Sequence, residues 1–517
     1  MIRSILKTAH AVGACDICVV GAGAIGLCLL ENLIASGLRV VCIVGGGEVA
    51  DEKWERFNGC EIAGLPHEGI RTARPRVAGG ATTLWGGQAL PFQKLDFADR
   101  PWVSMPGWPI QFEEVALHYQ EARKYLGLPG EIATGVVEDI KTRIASEISP
   151  DLEILVSEWT AAPNLFRVKR QNLDAAANLE ILTDCHAVRV IPRGGNRRQN
   201  YVLVRSADGA SLEIPSEVVI LAAGTVENAR LLLETQRAEQ SIHLSPVVGR
   251  CFQDHVTCNF ARLFPKHPSK IWRSFGKRYL GRGRLMPKWH LPARVQEDNR
   301  ILNAACHIIP DGGNLVEVSR LISERKWGRL LLLAPSLFRY AVNRTIFHQE
   351  YWWARTFMIE LHVEQEPQLE SMVSLGGGTI GGEYQKPVLN WEVSDLTLKT
   401  IRIAGQYFVD ALEASDMGGC EMLLDPVLTN DGIRKVARDV YHMIGTTRMG
   451  HNAATAVADV NCEVFGLPAV FVAGASVFPT GSFSNPTLTA LALAIRLCKH
   501  LTANAPHRRT SSREGLG

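Results

Sequence analysis

Residues 16–47, DICVVGAGAIGLCLLENLIASGLRVVCIVGGG, constrain the fold more than any other stretch of this 517-residue chain. An apolar run at 17–20 has the character of a buried strand. Gly21, Gly23 and Gly26 follow in GxGxxG spacing. Ile25, Leu29, Leu30, Leu33 and Ile34 then recur at helical intervals, up to Gly37 as a cap glycine. A second apolar run at 40–44 completes a βαβ unit. The three glycines serve a tight turn, backbone approach to a pyrophosphate, and close helix–strand packing. The helix start offers its free N–H groups to that anion. In this strand–turn–helix setting the pattern reads as a dinucleotide site formed by Gly21, Gly23, Ala24 and Gly26. The motif does not choose between NAD and FAD. The acid that ordinarily ends the second strand and binds ribose hydroxyls is missing. Val44 stands there, three glycines follow, and Glu48 is the nearest substitute.

A chain of this length is expected to form two to four domains. Its hydrophobic content of 46% and charged content of 21% are those of a soluble globular protein. A formal charge of +2, from 55 basic and 53 acidic side chains, gives no ground for a nucleic-acid partner. Of twelve cysteines, Cys18, Cys28 and Cys42 lie inside apolar runs and read as reduced core thiols of a cytoplasmic protein. Cys15 and Cys18 form a CxxC at a strand start with no second pair nearby, so no metal site is expected. No uncharged apolar run reaches the roughly 18 residues that span a bilayer, and no adequate apolar leader precedes the first strand. Residues 506–517 read as a disordered tail.

Residues 71–92, RTARPRVAGGATTLWGGQALPF, set four glycines among Leu84, Trp85, Leu90 and Phe92, which implies backbone laid against something flat or charged. Residues 218–233, VVILAAGTVENARLLL, read as a strand ending at Ala223–Gly224 and then a helix. A strand that stops at small residues above such a sheet abuts the nucleotide, whereas Glu227, Asn228 and Arg230 read as structural. Residues 181–191, 201–206 and 211–219 read as a β-meander beside the main sheet, with 163–180 as a connection. Residues 360–375 and 386–391 alternate as antiparallel strands do, and 396–412 read as a helix. Residues 320–344, RLISERKWGRLLLLAPSLFRYAVNR, read as a helix with its apolar side buried. The competing possibility is a basic amphipathic helix that touches a membrane or a partner protein.

The second informative stretch is 441–501. It holds YHMIGTTRMG, a strand at 470–472 ending at Ala473–Gly474, and Asn485–Pro486 opening a buried apolar helix, with proline suited to the first position. Its H-x-x-G-T-x-R-M-G, A-G-x-S-x-x-P-T and N-P-T patterns, with G-G-x-T-x-x-W at 79–85, resemble the glucose–methanol–choline family of FAD-dependent oxidoreductases. The likeness is to the branch holding pyranose oxidases and fructose or sorbitol dehydrogenases.

The resemblance implies an α/β fold, a Rossmann-like FAD-binding domain with an inserted antiparallel-sheet substrate domain. The first would take 1–95, 165–255 and 431–505, the second 96–164 and 256–430. It implies FAD contacts from Gly80, Thr83, Trp85, Gly87, Val188, Ala223, Gly224, Gly474, Ala475, Pro486 and Thr487, beside those of the first glycine turn and Glu48. Pyranose oxidases bond a histidine covalently to the flavin. Leu84 occupies that position here and has no nucleophile, so FAD is expected to be held non-covalently.

The family's two residues over the flavin map to His442 and Asn485. A neutral histidine accepts the alcohol proton while the C–H hydrogen leaves as hydride to flavin N5. A carboxamide holds the substrate oxygen and stays neutral beside the histidine. The C-terminal helix start would face the flavin pyrimidine and stabilise the negative charge gained on reduction. By analogy with the branch the substrate is a sugar, glycoside or polyol, with oxygen, a quinone or a protein accepting the electrons. An aliphatic or sterol alcohol, an NAD-linked dehydrogenase and a non-catalytic flavin-binding redox partner are the alternatives.

Overall fold

Apolar side chains on both faces place Cys15–Val20 and Val40–Gly45 in the middle of a seven-stranded sheet, as expected of strands covered by helices on each side. The computed structural model describes residues 2–5, 12–130, 132–147, 153–194, 197–380, 384–424 and 430–503. The stretch 506–517 lies outside them. Six strands run parallel in the order Ile2–Ser4, Leu179–Ile191, Val40–Gly45, Cys15–Val20, Ser211–Leu221 and Val470–Val472. Asn200–Arg205 pairs antiparallel with the far halves of Leu179–Ile191 and Ser211–Leu221, which forms the expected meander.

The helix Ala24–Ile34 buries Gly26–Leu30 and Leu33 and packs beside the C-terminal helix Thr487–Ala503, which is apolar on nearly every side. Their approach depends on missing side chains. A Cβ on Gly26 would lie 1.9 Å from the Gly21 carbonyl oxygen, and one on Gly21, at φ +110°, would lie 2.5 Å from that of Ala222. The sheet binds the helix through backbone contact alone at this corner.

A second, nine-stranded sheet is antiparallel along most of its length. Its order is Gly418–Met422, Val256–Pro265, Phe357–Val363, Ala304–Pro310, Gly283–His290, Glu153–Trp159 and Gln88–Ala89. The helix Asp395–Ala414, capped by Ser394, buries Leu398, Ile401, Ala404 and Phe408 against it. A three-stranded sheet of Met372–Ile380, Tyr384–Asn390 and Glu61–Ile62 joins the two. The α/β expectation with an antiparallel companion sheet therefore holds.

Two local expectations fail. Residues 163–180 are not a plain connection: Asn164 caps a helix at Leu165–Ala175 through its bond to the Arg167 N–H, and Leu165, Phe166 and Leu173 anchor it. The apolar side of 320–344 is not buried. The stretch folds as Leu315–Ser323, Trp327–Leu332 and Ala334–Thr345, with Leu331 and Leu332 more than 70% exposed and Phe338 71% exposed beside Arg329 and Arg339. Beyond Leu321, which is buried, none of the described elements covers it, and it forms a basic, apolar surface.

Gly26→Ala is expected to cost about 1–3 kcal/mol, the range for overpacking, with the backbone clash placing it at the upper end. A urea unfolding midpoint equal to that of the parent protein would count against the contact.

Candidate active site

One cleft of about 810 Å³ runs across the carboxyl ends of the parallel strands, where open α/β sheets hold their ligands. Gly21, Gly23, Ala24, Gly80, Trp85, Gly87, Ala223, Gly224, Gly474, Ala475, Pro486 and Thr487 all line it, together with His442 and Asn485. Segments far apart in the chain thus converge as their motifs suggested. Trp85 is held by its indole N–H, which donates to the Pro163 carbonyl at 2.7 Å.

The cleft fits a dinucleotide on three observations. No side chain caps the start of Ala24–Ile34, and its first turn holds no acid, so its N–H groups face the cleft as an anion site. A Cβ at Gly23 or Gly224 would meet no atom within 4 Å. The first turn of Thr487–Ala503, at the other end, also lacks an acid.

Four expected contacts lie elsewhere. Gly26 is behind the wall, in the helix–strand contact described above. Thr83 donates its hydroxyl to the Gly80 carbonyl at 2.8 Å. Val188 is displaced because a bulge between Ala187 and Arg189 shifts the register and with it the face each residue presents; Ala187 lines the cleft instead. Glu48 is exposed and ion-paired with Arg170. Gly46 takes φ +116° and passes so close to Arg76 that a Cβ would sit 2.1 Å from the Arg76 carbonyl, and the chain turns away before Glu48 can reach the strand end.

Charge at this end comes from residues read as structural. Glu227 and Arg230 both line the cleft. Glu227 meets Arg76 at 3.0 Å, Arg74 at 3.4 Å, Arg230 at 2.9 Å and the Tyr384 hydroxyl at 2.6 Å. Burial alone would raise its carboxyl, but Arg76, Arg230 and Arg74 outweigh burial and hold it well below the usual range. Asn228 is structural as expected: its Oδ1 accepts from the Ala223 N–H at 2.9 Å and its Nδ2 donates to Ser476 Oγ at 3.0 Å.

At the opposite end a chain of hydrogen bonds fixes the tautomer of His442. The Gly481 carbonyl can only accept, so His255 Nε2, 3.1 Å away, carries the proton. His255 Nδ1 is then an acceptor, and His442 Nδ1 donates to it at 2.9 Å. His442 Nε2 is left with a lone pair, to which Asn485 Nδ2 donates at 3.1 Å. The Asn485 carbonyl in turn accepts from Lys288 Nζ at 3.4 Å.

His442 is half-buried, with one side of its ring on the cleft and protein around the rest. Burial, followed by His255, Lys288 and His362, pushes its imidazole well below the ordinary value, which keeps it in the base form. Burial also lowers His255 to about 4, with Asp254 opposing. Tyr441, at φ +67°, turns the backbone just before His442, whose N–H donates to Asp254 Oδ1 at 2.9 Å. A proline after Asn485 biases that residue to extended backbone ahead of the helix.

Sequence inspection passed over His255, Lys288, His362 and Arg76. One signal was available: in GRLMPKWH Lys288 stands between apolar neighbours, Pro287 and Trp289, in the part of the strand that is buried throughout.

The parallel sheet, its glycine corner and the cleft together define a fold of the dinucleotide-binding class. Family models described as GMC oxidoreductase match residues 169–257 and 378–494, and the chain belongs to that family, whose members are flavoproteins. It is similar to C-glycoside 3-oxidase of Microbacterium trichothecenolyticum, with 46% identity over 61 residues, 12% of each chain. It is also similar to 2-methyl-1,2-propanediol dehydrogenase of Mycolicibacterium austroafricanum, at 22% identity over 93% of this chain and 94% of that one. The structure of formate oxidase superposes with a TM-score of 0.60 over 97% of this chain and 100% of that one, at 14% identity, which shows a shared fold.

Glu227→Gln is expected to lower stability by about 3 kcal/mol at neutral pH, the low end for breaking a buried ion pair. A carboxyl held below its unfolded value stabilises the fold above about pH 4.3 and loses that contribution as the pH falls. The variant should therefore lose less stability than the parent on acidification. Equal slopes of the urea midpoint between neutral and acid pH would contradict this.

Proposed function

We propose that this protein is an FAD-dependent enzyme that oxidises an alcohol group of a sugar, glycoside or polyol, with His442 as the base. The observation that carries the proposal is the hydrogen-bonded line from Gly481 through His255 and His442 to Asn485, at one end of a cleft shaped for a dinucleotide. The names of the C-glycoside oxidase and the propanediol dehydrogenase, each a protein that this chain resembles, favour a hydroxyl-rich substrate.

Bound FAD would supply the two-electron acceptor that takes the substrate's hydride. The glycine turns at Gly21–Gly23, Gly79–Gly80, Gly224 and Gly474 would hold it, with 1–95, 165–255 and 431–505 as its domain. Leu84 is 63% exposed and lines the cleft without a nucleophile, in keeping with a non-covalent cofactor.

The alcohol hydroxyl donates to His442 Nε2 and accepts from Asn485 Nδ2, replacing the direct bond between the two side chains. The hydroxyl proton passes to Nε2 as the carbinol hydrogen leaves with its electron pair, and a carbonyl remains. His442 Nδ1 still donates to His255 in the imidazolium, so the positive charge is shared along the line to Gly481 rather than left unsolvated. Asn485 stays neutral and adds no second charge.

His442→Ala is expected to lower kcat about 10²–10⁴-fold. Because its imidazole is depressed, kcat/KM should stay level through pH 6.5 and fall only in more acid solution. Anaerobic mixing with a panel of sugars and alcohols should bleach the yellow flavin absorbance, and a panel that leaves it unchanged would refute the proposal. Acid precipitation should release FAD to the supernatant; colour retained in the pellet would overturn non-covalent binding.

A further inference from the structure

The antiparallel sheet turns a group of polar side chains toward the cleft beside Asn485. Its register pairs His307 with Glu360 and Trp289 with Cys306, which sets Lys288 next to His307 on the neighbouring strand. His362 follows Glu360 by two residues and so shares its face. Lys288 and His362 line the cleft.

Lys288 is 2% exposed. An ammonium has three donors, and among the described residues its one hydrogen bond runs to Asn485 Oδ1 at 3.4 Å. Burial lowers it to about 8, with Glu360 opposing, so it is still largely protonated at neutral pH. His362 Nε2 lies 2.8 Å from Glu360 Oε1. A carboxylate only accepts, so Nε2 carries a proton, and in the neutral imidazole Nδ1 is the acceptor.

A cationic donor and an imidazole acceptor on one wall suit a neutral hydroxyl, which accepts from the first and donates to the second. An anionic group is not called for, because Glu360, paired across the strands with His307 beside Lys288, already sets a carboxylate on this face. The Asn485 carboxamide links this pair to the reacting centre, with its amide end at the oxidised hydroxyl and its carbonyl end at Lys288. Lys288 Nζ lies 3.4 Å from one end of that carboxamide and His442 Nε2 3.1 Å from the other, so a second hydroxyl that reaches Lys288 sits close to the one oxidised.

We propose that Lys288 and His362 form a subsite for the hydroxyl on the carbon next to the one oxidised, so that the substrate carries a vicinal diol. The proposal rests on His442 and Asn485 being the alcohol-oxidising pair. In it Lys288 is a specificity-determining residue.

The test is steady-state kinetics of the FAD-loaded enzyme on matched pairs: 1,2-propanediol against 1-propanol, and a methyl glycoside against its deoxy analogues. The parent enzyme should favour the vicinal member of a pair in kcat/KM. In Lys288→Met that preference should collapse about 10–100-fold, the scale of a lost hydrogen bond to a charged group. Lys288→Gln, which keeps a donor, should recover part of it, mainly through KM. Equal proportional losses on both members of a pair would overturn the subsite. A parent preference near one would also overturn it, whether or not the variants fold. Oxidation of no alcohol at all would instead defeat the underlying assignment of His442 and Asn485, and this proposal with it.

Discussion

The structure depends on a contact between backbones. Gly26 lies against the carbonyl of Gly21, and Gly21 against that of Ala222, with no room for a methyl group at either point. This closeness seats Ala24–Ile34 directly over the parallel strands and points its uncapped N–H groups into the cleft. It also sets where the C-terminal helix can pack, since Thr487–Ala503 lies beside the first helix. Asn485 precedes that second helix by two residues, so the chemical end of the cleft is positioned by a glycine contact at the other end.

The chemical end is organised by proton position. One carbonyl that can only accept decides the tautomer of His255, which decides that of His442. The arrangement needs no buried carboxylate against the base. The partners orient the imidazole without raising its affinity for a proton, which burial, His255 and Lys288 lower. Elsewhere on the cleft the solution is ionic: a carboxylate among three guanidinium groups forms the wall, whereas a single acid on the second strand was expected.

Much of the parallel sheet was legible because its strands are short apolar runs broken by glycine turns, and such turns have few alternative uses. His442 and Asn485 also sit inside unusual local patterns, and the structure brings their side chains to 3.1 Å. What escaped was set by packing between distant segments. Val188 was misplaced because one bulge inverts the face of a strand, and nothing local in LTDCHAVRVI announces it. Glu48 was misplaced because the turn at Gly46 depends on the passing backbone of Arg76, thirty residues on. Lys288, His255 and His362 act together only because the antiparallel sheet and the linking segments bring them beside the cleft. Exposure of 320–344 was likewise invisible, since the pattern of an amphipathic helix does not say whether a neighbour exists to cover it.

Asn485 belongs to the loop before the C-terminal helix and His442 to a loop that follows Arg438–Asp439, an edge strand of the antiparallel sheet, whereas Lys288 and His362 lie within that sheet. Among the described residues the side-chain hydrogen bond between the two pairs joins Lys288 and Asn485. The pair proposed to react and the pair proposed to recognise therefore sit on different segments that meet at the antiparallel sheet. A lineage could exchange the side chains on the antiparallel face and change which molecules are accepted, while the machinery that removes the electrons is inherited intact.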